Sequence, residues 1–185
     1  LKLKNGCLLL MYNPRPYDIN PARRFAIRVK ISSDNGLSWE KMQEIYKARY
    51  QFENGCWEPS AIQLPDGTIQ LYFANEGIFT TSDEQNISML SSVDNGLSWS
   101  SDPQIISFRS GKRDGMPVPL LLKGNQRIAV AIEDNGLGSF KPYIITNTLA
   151  EGWKNTVDAG SPNRIYAISN PVDNKVYAGA PYLRQ

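Results

Sequence analysis

The sequence predicts an all-β fold, a β-propeller of four-stranded antiparallel blades, with about three blades in its 185 residues. Three observations lead there. Ser32-Ser33-Asp34-Asn35-Gly36-Leu37-Ser38-Trp39 returns as Ser92-Val93-Asp94-Asn95-Gly96-Leu97-Ser98-Trp99, sixty residues later. A hairpin series keeps the same period: Leu3-Lys4-Asn5-Gly6 before CLLLMYN, Leu64-Pro65-Asp66-Gly67 before TIQLYFAN, and Leu122-Lys123-Gly124-Asn125 before QRIAVAIED. A proline marks each inner start, in Glu58-Pro59-Ser60, Met116-Pro117-Val118 and Ala180-Pro181-Tyr182. Self-similarity in three registers points to a repeat architecture.

Each repeat reads as an inner run, a tight turn, a second run, a longer polar loop and a third run such as Phe25 to Ser32. The Asp-Asn-Gly turn and a fourth run such as Glu44 to Lys47 follow. Short apolar or alternating runs between Gly, Asn, Asp and Pro turns, with no sustained helical period, predict four antiparallel strands per unit. Such units arrayed radially make a propeller.

The turn chemistry is local. A short Asp accepts turn amides, Gly supplies positive φ, and Trp packs beneath the unit, so Asp34 and Asp94 are expected to be structural. The pattern S-x-D-x-G-x-x-W resembles the Asp-box, or BNR repeat, of sialidase-type propellers. A calcium loop is not expected, because its alternating acidic ligands are missing.

Composition removes other functions. Twenty Lys plus Arg face 18 Asp plus Glu, so no strong basic field exists for nucleic acid. The longest apolar run, Cys7 to Tyr12, is far short of a membrane span, and no apolar leader opens the sequence. The absence of histidine excludes a Ser-His-Asp triad, a Cys-His pair and His-ligated zinc, and neither metal nor cofactor is expected. Carboxylates remain as the acid and base groups. Cys7 and Cys56 leave one bridge or two free thiols open.

Three units fall short of the four to eight that close a ring. Leu1 is not Met, Leu1 aligns with Ile62 and Gln185 with Gln63, and unpaired edges result at both ends. Residues 1–185 are therefore expected to be a piece of a six-bladed protein whose remaining blades are its partners, with two copies closing one ring as the remote alternative.

Strand direction predicts which face is functional. An inner-strand start and a second-strand end emerge on the same side, so Glu58 and Glu133 are expected to share a face. The loops of that face carry Arg15, Tyr17, Asp18, Arg109, Arg113, Asp114, Arg164 and Tyr166. Loops on a rigid scaffold over a central cleft are the natural place for a site.

The segments WEPSAIQLPDGTIQLYFANE (57–76) and RDGMPVPLLLKGNQRIAVAIED (113–134) resemble glycoside hydrolase family 93, the exo-arabinanases. The resemblance implies a six-bladed, sialidase-related propeller and a retaining exo-glycosidase, secreted or periplasmic, acting on arabinan-like furanoside polysaccharide. It implies Glu58 as nucleophile and Glu133 as acid/base, with the roles open to exchange. Retention asks for two carboxyl groups about 5–5.5 Å apart, one ionised and one protonated. Burial and nearby cations are what split such a pair. Arg113, Asp114, Arg15 and Tyr166 are the candidate substrate contacts. The alternatives are a sialidase, which needs three arginines and a Tyr-Glu pair, and a non-catalytic glycan-binding propeller.

Overall fold

The computed structural model describes residues 1–124, 126–170 and 172–184. Asn125 of the third hairpin turn and Gln185, the aligned partner of Gln63, lie outside the described residues. The chain forms β1 (Leu8–Tyr12), β2 (Ala26–Ser32), β3 (Gln43–Lys47), β4 (Cys56–Gln63), β5 (Ile69–Asn75) and β6 (Asn86–Ser92). It continues with β7 (Gln104–Ser107), β8 (Asp114–Leu121), β9 (Arg127–Asp134), β10 (Lys141–Thr148) and β11 (Arg164–Tyr166). Among the described residues no helix is long and apolar enough to cross a membrane.

The strands form three sheets in the orders β1-β2-β3, β4-β5-β6-β7 and β8-β9-β10-β11. Every neighbouring pair is antiparallel. In the first sheet the inner position is held by Lys2, which bridges Leu8, while the Leu9 amide donates to the Leu1 carbonyl at 2.8 Å. Thus the four-run order read from the repeat is the sheet order.

Burial explains the composition of the second runs. β5, IQLYFAN, is buried at every position, and β9 is buried at all but Arg127. A strand covered on both faces loses the polar alternation of a half-exposed one. Its covers are the neighbouring sheets, as β4 and β5 pack against β8. One continuous apolar core runs through all three sheets, from Leu9 and Ile27 through Leu71 and Phe73 to Val130 and Ile145.

The repeated Asp-Asn-Gly turns are nearly superimposable in their bonding. Asp34 accepts the Ser38 amide at 2.8 Å and its hydroxyl at 2.5 Å; Asp94 accepts the Ser98 amide at 2.9 Å and its hydroxyl at 2.5 Å. Gly36 and Gly96 stand at φ 89° and 88°, conformations open to glycine at no steric cost. The Ser38 hydroxyl, first among several donors, lowers the Asp34 pKa to about 2. In the third sheet Trp153 takes over the packing: it is fully buried and its indole N–H donates to the Tyr72 hydroxyl at 3.1 Å. Cys7 and Cys56 are both free thiols, which decides the question left open by their number.

Candidate active site

The carboxylate wedged between Trp57 and Pro59 sits on a β-bulge. Pairing of β4 with β5 runs Trp57↔Ala74 and then Ser60↔Tyr72, so Glu58 and Pro59 together oppose Phe73. Glu58 has φ 54°, in the left-handed region. The same device recurs in β8, where Met116 and Pro117 oppose Ile132 and Met116 has φ 49°. Ala180, before Pro181, repeats the angle at 53°, although no strand forms around it. A bulge bends the strand and re-aims a side chain, and each left-handed residue costs about 1–3 kcal/mol. In this chain the outlay turns a strand residue toward a cleft.

Glu133 arrives from the other direction, near the end of β9. It is 8% exposed, and its Oε2 accepts the Tyr177 hydroxyl and the Ala180 amide, each at 2.9 Å. Room for it comes from two glycines. A Cβ on Gly115 would stand 3.1 Å from Glu133 Oε1, and a Cβ on Gly179 would overlap both Glu133 Oε2 and the Tyr177 hydroxyl. Gly115 and Gly179 occupy the repeat position that Trp57 fills in W-E-P, so the carboxylate takes the volume of a missing side chain.

Glu58 and Glu133 line one cleft of about 190 Å³, together with Arg15, Glu76, Gln85 and Arg113. The Glu58 Oε2 accepts the Met116 amide at 3.1 Å. Burial pushes the Glu58 pKa up, the Met116 amide pulls it down, and the charge of Glu133 adds to the rise. Glu76 is a third carboxylate, 2% exposed, held by the Trp57 indole N–H at 2.9 Å and by Arg113. Burial raises its pKa too, against those two donors. Arg113 also donates to the Gln85 side-chain oxygen at 2.8 Å. Arg15 lies over the Trp57 ring at 4.9 Å, within cation–π range.

Two of the candidate substrate contacts stand elsewhere. Asp114 is fully buried, and Arg164 and the Ser107 hydroxyl occupy its two carboxylate oxygens, so it has nothing left for a sugar. It belongs to an ionic cluster in which Arg164 also reaches Asp134 at 2.5 Å and Arg109 reaches Asp134 at 2.8 Å. Two acids and two arginines compensate one another there, as burial requires. Tyr166 packs on Tyr143, ring centroids 5.3 Å apart, and its hydroxyl accepts the Val172 amide at 3.4 Å. Neither residue lines the cleft of Glu58 and Glu133, where they were expected. Conversely, Tyr177, Gln85 and the two glycines were not singled out in the sequence. The alignment of G-M-P and G-A-P against W-E-P was the signal for the glycines.

Similarity to solved structures now bears on the three sheets. The chain superposes on the α-L-arabinofuranosidase of family GH93 from Fusarium graminearum, solved with arabinobiose, at TM-score 0.65 and 22% identity, covering 77% of this chain and 41% of that one. It matches the Penicillium chrysogenum α-L-arabinanase, also solved with arabinobiose, at TM-score 0.65 and 21% identity, covering 80% and 44%. These sheets are blades of a β-propeller. A looser likeness, TM-score 0.53 and 16% identity over 82% of this chain and 38% of the other, joins them to a family PL25 ulvan lyase. At such identities the likeness is one of fold, and the chain spans less than half the length of each of these propeller proteins. No protein-family model and no curated protein sequence matches the chain.

Proposed function

We propose that this chain carries the paired-glutamate centre of a retaining glycoside hydrolase acting on arabinan-like furanoside polysaccharide. The observation that supports it is the meeting of Glu58 and Glu133, from successive blades, in one cleft. Each is anchored by the amide of the left-handed residue one repeat further on. Similarity in fold to an α-L-arabinofuranosidase and an α-L-arabinanase, each solved with arabinobiose, supports the choice of sugar.

In this reading Glu58 attacks the anomeric carbon and Glu133 gives its proton to the leaving oxygen. A water deprotonated by Glu133 then breaks the glycosyl ester on Glu58. A proton on Glu133 removes one cause that raises the Glu58 pKa, the charge of Glu133; burial, the largest cause, remains, and the Met116 amide opposes it. Glu133 can accept from Tyr177 and Ala180 on Oε2 while carrying its own proton on Oε1.

The test is hydrolysis of arabino-oligosaccharides by the full-length protein. Glu58→Gln and Glu133→Gln are each expected to lower kcat by about 10²–10⁴-fold with melting behaviour retained. On an activated aryl arabinofuranoside, azide should rescue Glu133→Ala with retention and Glu58→Ala with inversion. Full activity in either glutamine variant sinks the proposal.

A second reading, an exo-α-sialidase, draws on the Tyr177 to Glu133 hydrogen bond, the tyrosine–glutamate pairing such an enzyme uses. Sialyl substrates in the same assay separate the two.

A further inference from the structure

Beside the glutamate cleft lies a larger hollow of about 610 Å³, walled by the loop between β1 and β2 and by side chains of β2 and β3. Its lining side chains include Arg15, Arg23, Arg24, Arg28 and Lys47 against the single carboxylate of Glu44. That is a local excess of four positive charges in a chain whose net charge is +2, so the rest of the molecule is net negative and the basicity is concentrated here.

Among the described residues, internal pairing does not consume this charge. Glu44 is shared, receiving Arg28 Nε at 3.1 Å and Lys47 Nζ at 3.0 Å. Arg23 meets Asp18 at 3.2 Å with both side chains more than half exposed, a pairing of little strength. Arg24 and Arg15 have no carboxylate partner among the described residues. Pro14, Pro16 and Pro21 stiffen the loop that presents them, which lowers the entropy lost when a ligand is gripped. Arg15 lines this hollow and the glutamate cleft alike, so the two are contiguous.

We infer that the basic hollow is a subsite for an anionic substituent of the polysaccharide, a uronate carboxylate or a sulfate ester, borne on a sugar beyond the one held between Glu58 and Glu133. Guanidinium forks suit both anions, and Arg15 is the shared wall between the subsites. The saccharide nature of the ligand rests on the proposed hydrolase; the preference for negative charge rests on the hollow alone.

Calorimetric titration of the full-length protein tests this, with an oligogalacturonate, a sulfated oligosaccharide, a neutral arabino-oligosaccharide of equal length, inorganic sulfate and a DNA duplex. One anionic oligosaccharide is expected to bind more tightly than the neutral one and to weaken with added salt; the tighter of the two names the anion. Arg24→Ala should weaken that binding about tenfold while leaving hydrolysis of the neutral substrate unchanged. Equal affinity for neutral and anionic chains, no effect of Arg24→Ala, inorganic sulfate binding as tightly as the oligosaccharides, or tighter binding of DNA would each overturn it. Anion-selective binding that survives in a protein without hydrolytic activity keeps the subsite and removes only the hydrolase.

Discussion

The backbone amide of Met116 donates to Glu58 Oε2 at 3.1 Å across the boundary between two blades. Ala180 repeats the arrangement for Glu133 at 2.9 Å. The left-handed residue ahead of each proline therefore does two things. At Glu58 and Met116 it bends its own strand start, and at Met116 and Ala180 it turns an amide toward the carboxylate of the preceding blade. The spacing of the acids is thus tied to the packing of the blades.

Gly179 tests the seat of Glu133. Its φ is not in the left-handed region, so alanine is tolerated by the backbone, yet a Cβ would overlap Glu133 Oε2 and the Tyr177 hydroxyl. Gly179→Ala is expected to lower kcat/KM by at least about tenfold, since displacement of a reacting group by as little as 1 Å is costly. The melting temperature should stay near that of the parent. Steady-state kinetics with a thermal melt checks both.

Tyr177→Phe removes one hydrogen bond to Glu133 and little else, because the ring is 59% exposed. As Glu133 gives up its proton in the reaction the bond comes to lie on a charged group, where such bonds contribute about 1.5–3 kcal/mol, so a loss of roughly tenfold to a hundredfold in kcat/KM is expected. Unchanged kinetics would place Tyr177 outside the chemistry.

Burial raises the Glu58 pKa above the ordinary 4.5, with the Met116 amide opposing and the charge of Glu133 adding. A carboxyl whose folded pKa is raised contributes fully to stability below its unfolded value and loses that contribution as pH climbs through the folded one. Glu58→Gln is therefore expected to melt at a higher temperature than the parent at neutral pH, the gap closing in acid below about pH 4. Melting curves collected across that range decide it; a gap that persists in acid contradicts the linkage.

Arg164 has 1% side-chain exposure and holds both Asp114 and Asp134. Arg164→Met leaves buried carboxylates short of a counter-charge, which costs about 3–5 kcal/mol in comparable pairs. Urea denaturation should show that loss, and adding Asp114→Asn should recover part of it, since the neutral amide carries no unpaired charge.

Much of this was legible in the linear chain because its causes are local. The Asp34 and Asp94 turns close on their own serines, the second runs β5 and β9 are apolar because both faces are covered, and the sixty-residue period orders the strands. Strand polarity alone was enough to send Glu58 and Glu133 to the same face, and blade packing brings them into one cleft. The place of Asp114 was not legible, because its burial and ion pairing depend on what a distant strand of the same sheet delivers. An aspartate beside an arginine looks the same on paper whether it faces a sugar or an Arg164 fifty residues away.

What residue order determined by itself was the repeat, the strand sequence within it and the side on which the acids emerge, since all three follow from turn chemistry and the two-residue pleat. Only tertiary packing decided that Glu133 fits into the space left by Gly115 and Gly179, that Tyr177 reaches it, and that Arg164 neutralises two buried acids. Those contacts join strands and loops far apart in the sequence, several of them across the third sheet, and their geometry exists only once these strands have paired.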